Sequence, residues 1–414
     1  MVQRTLIKPH LISLLACIGF ILSACSSVPT SSPPTSSVIP IQSQAVSPTV
    51  VPCTLLHTPA ASMATPGIPF EGHGHASGPA DAPVTIIVFS DYQCTQCAIL
   101  AASLKQVRLI HSKDVHLIYL HAPLAVNDKD NLAIQAVEAA DLQGKFWEMH
   151  DLLFAKQAEW FTLRPADFES WTAQQAVNLG LDPIRFRSDF NGPQVAERLQ
   201  QAVQFASTVK SFSPPVLFVN STSAYTGLAD FASLDTVIRM DALTMHEFSA
   251  CPTQDVDPLK QYIATLHTAK GDIILQLYPE KAPLAVSNFI SLANSGWYDN
   301  NTFYRVLTGQ WAMSGDPSGT GYGNPGYLFK TEISAGLNFD QAGMVAMDND
   351  GPDTNGSRFF INLGPVPQMD GQYTIFGKVL SGLDVLSALT TRNPQPGVYL
   401  PPGDELISVT IEIR

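Results

Sequence analysis

Phe303-Tyr304-Arg305-Val306-Leu307, running on to Ser314-Gly315-Asp316, is the stretch that decides the fold of the second half of the chain. Aromatic and β-branched residues dominate Thr302 to Leu307, so the run predicts a short strand. One fixed cation sits between apolar neighbours. An arginine there must pair or point into a groove, because unpaired burial of a charge is very costly. Two later stretches answer it: Asn355-Gly356-Ser357-Arg358-Phe359-Phe360-Ile361-Asn362, and Met369-Asp370-Gly371-Gln372-Tyr373-Thr374-Ile375-Phe376-Gly377-Lys378-Val379.

Together these segments resemble, in the right order, the signature segments of the cyclophilin-type peptidyl-prolyl isomerases. The resemblance covers residues 262–414. It implies a closed β-barrel with flanking helices, proline-containing peptides as substrates, and no metal or cofactor. Position by position, it implies that Arg305 is the catalytic arginine and that Phe303, Trp311, Met313, Asn349, Phe360, Met369 and Tyr373 bind substrate. Several positions depart from the pattern. Gln310 replaces an aromatic pocket wall, and Met313 replaces the glutamine that orients the arginine. Arg358 replaces another glutamine and, if it points inward, adds a second cation. Gln368 stands where a tryptophan would bind cyclosporin, which predicts weak binding of that drug. The alternative to an active isomerase is a domain that only binds proline peptides.

The whole chain has 414 residues, enough for two or three domains with their own cores. Only 14% of residues are charged and the formal net charge is −13, with no Lys/Arg run after the first few residues. That argues against nucleic acid and against electrostatic docking on anionic lipid.

Residues 1–25 read as an export signal. Arg4 and Lys8 open it, and Leu11 to Leu22 form an apolar core too short for a comfortable spanning helix. It ends in Leu22-Ser23-Ala24-Cys25, which resembles the lipobox of bacterial lipoproteins. That resemblance implies cleavage before Cys25, lipid on Cys25, and an extracytoplasmic protein anchored to the cell membrane. Residues 26–65 are rich in Ser, Thr and Pro and read as a tether. Two histidines in Gly72-His73-Gly74-His75 are too weak a signal to predict a metal site.

Residues 66–251 read as the first folded domain. Val84 to Phe89 is a strand by composition, and Ala98 to His111 is apolar at helical spacing. Between them lies Asp91-Tyr92-Gln93-Cys94-Thr95-Gln96-Cys97. This order puts the Cys94 sulfur at a helix N-terminus, where the helix dipole favours the thiolate, with Cys97 one turn in to resolve a mixed disulfide. Half of a zinc site and an inert disulfide remain as alternatives, although no second Cys-x-x-Cys exists. Val115 to His121 predicts a strand, Asn131 to Val209 a helical region, Ser213 to Asn220 another strand and Leu234 to Phe248 a helix. The order resembles the DsbA-like thioredoxin fold with its helical insertion. The resemblance places a cis proline at Pro215, beside the cysteines, and implies thiol–disulfide exchange with a redox partner protein. Thr95-Gln96 leaves the redox direction open.

Of six cysteines, Cys17 leaves with the signal, Cys25 takes lipid and Cys94–Cys97 form the redox pair. Cys53 and Cys251 remain, and a disulfide between them would clasp the ends of the first domain. Residues 252–261 form a linker. Tyr262 to Thr268 and Asp272 to Leu277 predict a hairpin, and Ala285 to Ser295 an amphipathic helix. The combined expectation is a membrane-tethered folding factor. Its clients are exported proteins still folding, held at slow steps by disulfides and prolines.

Overall fold

The computed structural model describes residues 49–56, 74–124, 127–208, 213–220, 223–225, 230–254 and 256–414. The export signal, Cys25, His73 and most of the proposed tether lie outside the described residues.

The first domain is built on a five-stranded sheet. Its order is His75–Ser77, Val115–His121, Val84–Ser90, Val216–Val219, Ser223–Tyr225. The two central strands run parallel, and the other pairings are antiparallel. Val84–Ser90 is apolar almost throughout because both its faces are covered, as central strands require. Ile86 and Val88 enter one cluster with Leu100, Leu104 and Val107 of the helix Thr95–Ile110. Ile87 and Phe89 enter another with Phe205, Val216 and Phe218. Six helices from Asp130 to Thr208 lie between the strands Val115–His121 and Val216–Val219. A last helix, Phe231–Thr244, is capped by the Asp230 carboxylate on Ser233 N–H.

The second domain is a nine-stranded antiparallel sheet, ordered 301–302, 405–413, 262–268, 271–277, 375–381, 344–347, 359–362, 311–314, 305–307. Its two edge strands are neighbours in sequence, so the sheet curls until its edges almost meet. Alternate residues fill its interior, among them Leu266, Ile273, Leu275, Val345, Phe359 and Ile361, all at most 1% exposed. The helix Pro283–Asn294 covers this core, with proline in its first turn. The Glu332 carboxylate takes the free N–H groups of Leu284 and Ala285 at 3.0 and 2.9 Å.

Two expectations need correction here. Thr302 to Leu307 is not one strand. Asn301–Thr302 pairs with Glu405 and Leu406, whereas Arg305–Leu307 pairs with Trp311–Met313. The chain changes partner at Phe303 and Tyr304, and both are buried there. Residues 49–56 are not tether. Thr49–Val50 pairs with Thr253–Gln254, and Cys53–Leu55 pairs with Tyr327–Phe329 of the second domain. Val51 is fully buried in the barrel cluster.

Cys53 and Cys251 are joined by a disulfide. It does close around the first domain, but Cys53 itself packs against the barrel. The bond therefore fastens the first domain's exit to the second domain. The proposed linker is equally short of being a free hinge. Thr253–Gln254 is paired with Thr49–Val50, Val256 packs against the barrel cluster, and Asp257 N–H donates to the Tyr262 hydroxyl at 2.8 Å.

Candidate active sites

The first site forms where Val84–Ser90 gives way to the helix Thr95–Ile110. Asp91, 1% exposed, shapes the connection. Its carboxylate accepts from Gln93 N–H and Cys94 N–H at 2.7 and 3.1 Å, and from Leu124 N–H at 2.9 Å. Gln157 donates to the carbonyls of Tyr92 and Cys94 from the other side. Cys94 is the helix N-cap, its sulfur accepting from Cys97 N–H at 3.1 Å. Cys94 is half-buried, Cys97 is fully buried, and the two are bonded. The peptide bond Pro214–Pro215 is cis, and Pro214 O lies 3.8 Å from the Cys94 sulfur. The accessible sulfur is thus the one at the helix N-terminus, where a thiolate is favoured.

Sequence reasoning missed Asp130 at this site. It is buried beside Asp91, and burial together with the Asp91 charge pushes its carboxyl up to about 7. The signal was a pair of acids on either side of the Val115–His121 strand, which no spacing rule links.

His75 does not stand alone on a glycine-rich arm. It reaches Glu138 Oε1 at 2.7 Å, and His121 reaches the same oxygen at 3.0 Å. Arg198 donates to Glu138 Oε2 at 2.8 Å. Burial alone would raise the Glu138 carboxyl, but these donors hold it well below the usual carboxylate range.

The second site is a cleft of about 890 Å³ on the barrel. Arg305, Trp311, Met313, Asn349, Met369 and Tyr373 all line it. Arg305 and Met313 are direct cross-strand partners, and Met313 is in turn opposite Phe360. Phe360 is fully buried beneath the cleft, its ring edge-to-face with Tyr373 at 5.2 Å. Met369 arrives on the 3₁₀ turn Pro367–Met369. Asn349 closes a turn by accepting from Gly351 N–H at 3.1 Å and donates to Asn355 at 3.3 Å. Phe303 is a correction: it is fully buried in the barrel core and does not line the cleft.

The charges explain two of the departures. Arg305 Nε is buried without a hydrogen-bond partner, because the thioether of Met313 opposite it is at best a weak acceptor. Arg358 does point inward, but it is not a free cation. It donates to Asp350 at 2.7 Å and to Gly321 O, and lies 3.6 Å from Asp348. Asp348 also accepts from Tyr304 O–H at 3.3 Å. Arg305 has no carboxylate within ion-pair distance among the described residues, and Arg392, which also lines the cleft, donates to the carbonyls of Tyr304, Leu400 and Pro401, so Arg305 is the cation left for a ligand.

Residues 263–405 match the family model described as cyclophilin type peptidyl-prolyl cis-trans isomerase, and residues 71–240 match the thioredoxin model. The chain is 42% identical over 144 residues to peptidyl-prolyl cis-trans isomerase cypE of Dictyostelium discoideum, covering 33% of this chain and 92% of that one. It is 41% identical over 147 residues to a peptidyl-prolyl cis-trans isomerase of Helicobacter pylori, covering 32% and 90%. Against peptidyl-prolyl cis-trans isomerase A of Mycobacterium tuberculosis it is 42% identical over 145 residues, covering 31% and 80%.

Proposed function

We propose, on the premise that this chain belongs over residues 263–405 to the cyclophilin-type peptidyl-prolyl cis-trans isomerase family, that it is an extracytoplasmic folding factor with a second, thiol–disulfide active domain. The observation that carries the reading is Arg305, without a carboxylate partner and among apolar side chains, in a cleft.

Rotation about an X–Pro bond meets a barrier of about 18–20 kcal/mol from amide conjugation. The catalyst must bind the twisted amide better than either planar form. Twisting returns the lone pair to the prolyl nitrogen, and a guanidinium donor from Arg305 favours that state. Trp311, Met313 and Met369 supply apolar contact for the ring, while Asn349 offers polar atoms to the peptide backbone. No bond is broken and no cofactor is needed. At the other site the bonded pair exchanges with client thiols. A client thiolate attacks the Cys94 sulfur and displaces the Cys97 thiolate, and a second client thiolate then attacks the mixed disulfide and displaces Cys94. The same two steps run in reverse reduce a client disulfide.

Export and anchoring are supported by the charged start, the apolar Leu11–Leu22 run and Cys25. Clients are exported proteins still folding, and a redox partner protein resets the cysteines. Incorporation of labelled fatty acid that is lost in Cys25→Ala tests the anchor.

The deciding experiment is a protease-coupled prolyl-tetrapeptide assay on the full chain beside Arg305→Ala. Acceleration that disappears in the variant supports the isomerase. The unpartnered Arg305 Nε favours a second reading, a thiol oxidoreductase whose barrel only binds proline peptides. Peptide binding without acceleration by the wild-type chain would select it.

A further inference from the structure

The isomerase cleft is not made by the barrel alone. Ser233, Thr236 and Val237 of the first domain's last helix line it together with Arg305. That helix is held against the barrel at three places. Arg239 donates to Ser318 O at 3.5 Å, and Leu243 is buried in the barrel cluster. The Phe231 ring meets Tyr399 edge-to-face at 4.9 Å, pinning the loop that closes the far end of the cleft. The helix is equally fixed to its own domain. Asp235 accepts from His111, the C-cap of the Cys94–Cys97 helix, at 2.8 Å.

We propose that this helix face is a second substrate subsite. It receives the residues flanking the proline and restricts the isomerase to extended, unfolded polypeptide segments. The proposal rests on the isomerase reading above. A prolyl peptide seated at Arg305 has a wall of small, half-buried side chains alongside it, with the Ser233 hydroxyl to meet its backbone and the Thr236 oxygen, whose proton goes to Ala232 O at 3.0 Å, able to accept from a peptide N–H. A short peptide fits inside the cleft. A proline presented on a folded loop carries flanking structure that collides with the helix, whereas an extended chain passes between the domains.

The test uses the full chain with Thr236→Trp, which fills the subsite, and Ser233→Trp as an independent obstruction. Met245→Trp is the control, since Met245 is 71% exposed and outside the cleft. Two readouts are compared: turnover of a proline tetrapeptide, and fluorescence-anisotropy binding of a long unstructured peptide with one central proline. The expected result is a loss of long-peptide affinity of about tenfold in both obstructed variants that exceeds any loss of tetrapeptide turnover, with Met245→Trp unchanged on both readouts. Unchanged long-peptide affinity overturns the subsite. An equal loss on both substrates also overturns it, because the helix then only supports Arg305. If the wild type fails to accelerate the tetrapeptide, the isomerase reading falls separately, and the binding arm still decides the subsite.

Discussion

Met313→Gln should improve this enzyme. Arg305 Nε is buried and unpaired, and position 313 is its direct cross-strand partner. Such partners have Cβ atoms about 4.5–5.5 Å apart on the same face, within reach of an amide oxygen. A buried, unsatisfied N–H costs about 1–3 kcal/mol. A glutamine oxygen would recover part of this, offset by burying the amide in place of a thioether at a site 8% exposed. The net effect on folding should be small, a shift in thermal midpoint of about 2–4 °C at most for about 1 kcal/mol. The effect on turnover should be larger, because a fixed guanidinium loses less freedom on reaching the twisted amide. A gain of about 0.7–1.4 kcal/mol in the transition state corresponds to about three- to tenfold in kcat/KM. The assay is the coupled tetrapeptide reaction with wild type, Met313→Gln, Met313→Leu and Arg305→Ala. Leucine fills the space without an acceptor and should give no gain. If Met313→Gln folds and stays within twofold of wild type while Arg305→Ala is inactive, the unpaired Nε does not limit the reaction and the argument fails.

Asp130 gives a pH signature. Its folded carboxyl titrates at about 7, above its unfolded value, so the native state holds the proton more tightly. Stability from this group is fully present below about pH 4 and is lost as pH rises through about 7. Asp130→Asn should flatten that part of the stability profile in denaturant titrations from pH 4 to 8. An unchanged slope would refute the assignment. Removing the Cys53–Cys251 bond by double alanine substitution frees a loop with a sequence separation of 198 residues. Chain entropy sets the loss at up to about 5 kcal/mol, read as a lower denaturant midpoint. Glu138→Ala leaves His75 and His121 without their buried acceptor, while Arg198 keeps Asp141 at 2.6 Å. It should cost about 1–3 kcal/mol in the first domain, measured by loss of its near-ultraviolet signal at lower denaturant.

Much of this arrangement could be read from residues. The Cys94–Cys97 helix was legible because a strand, a short turn and helical apolar spacing follow one another locally. The barrel was legible from separated segments, each with its own chemistry. The segment 49–56 was not, because strands of two and three residues carry no periodicity, and their partners lie some 200 or more residues away. Phe303 was misplaced for a related reason. Alternation along one strand would put it beside Arg305's neighbours, but the chain changes partner strand at that point. The wall formed by Phe231–Thr244 was invisible because its cleft-facing residues, Ser233 and Thr236, look like any solvated helix face. Only the packing of two domains gives them a role.

The Cys53–Cys251 bond also settles how the molecule bears load. Tension applied at residue 49 and drawn toward the C-terminus travels along covalent bonds to Cys53 and crosses directly to Cys251. Residues 54–250 form a slack loop outside that path. A pull strong enough to strip the barrel strand by strand would leave the thioredoxin-like domain unstretched, with its cysteine helix still in register.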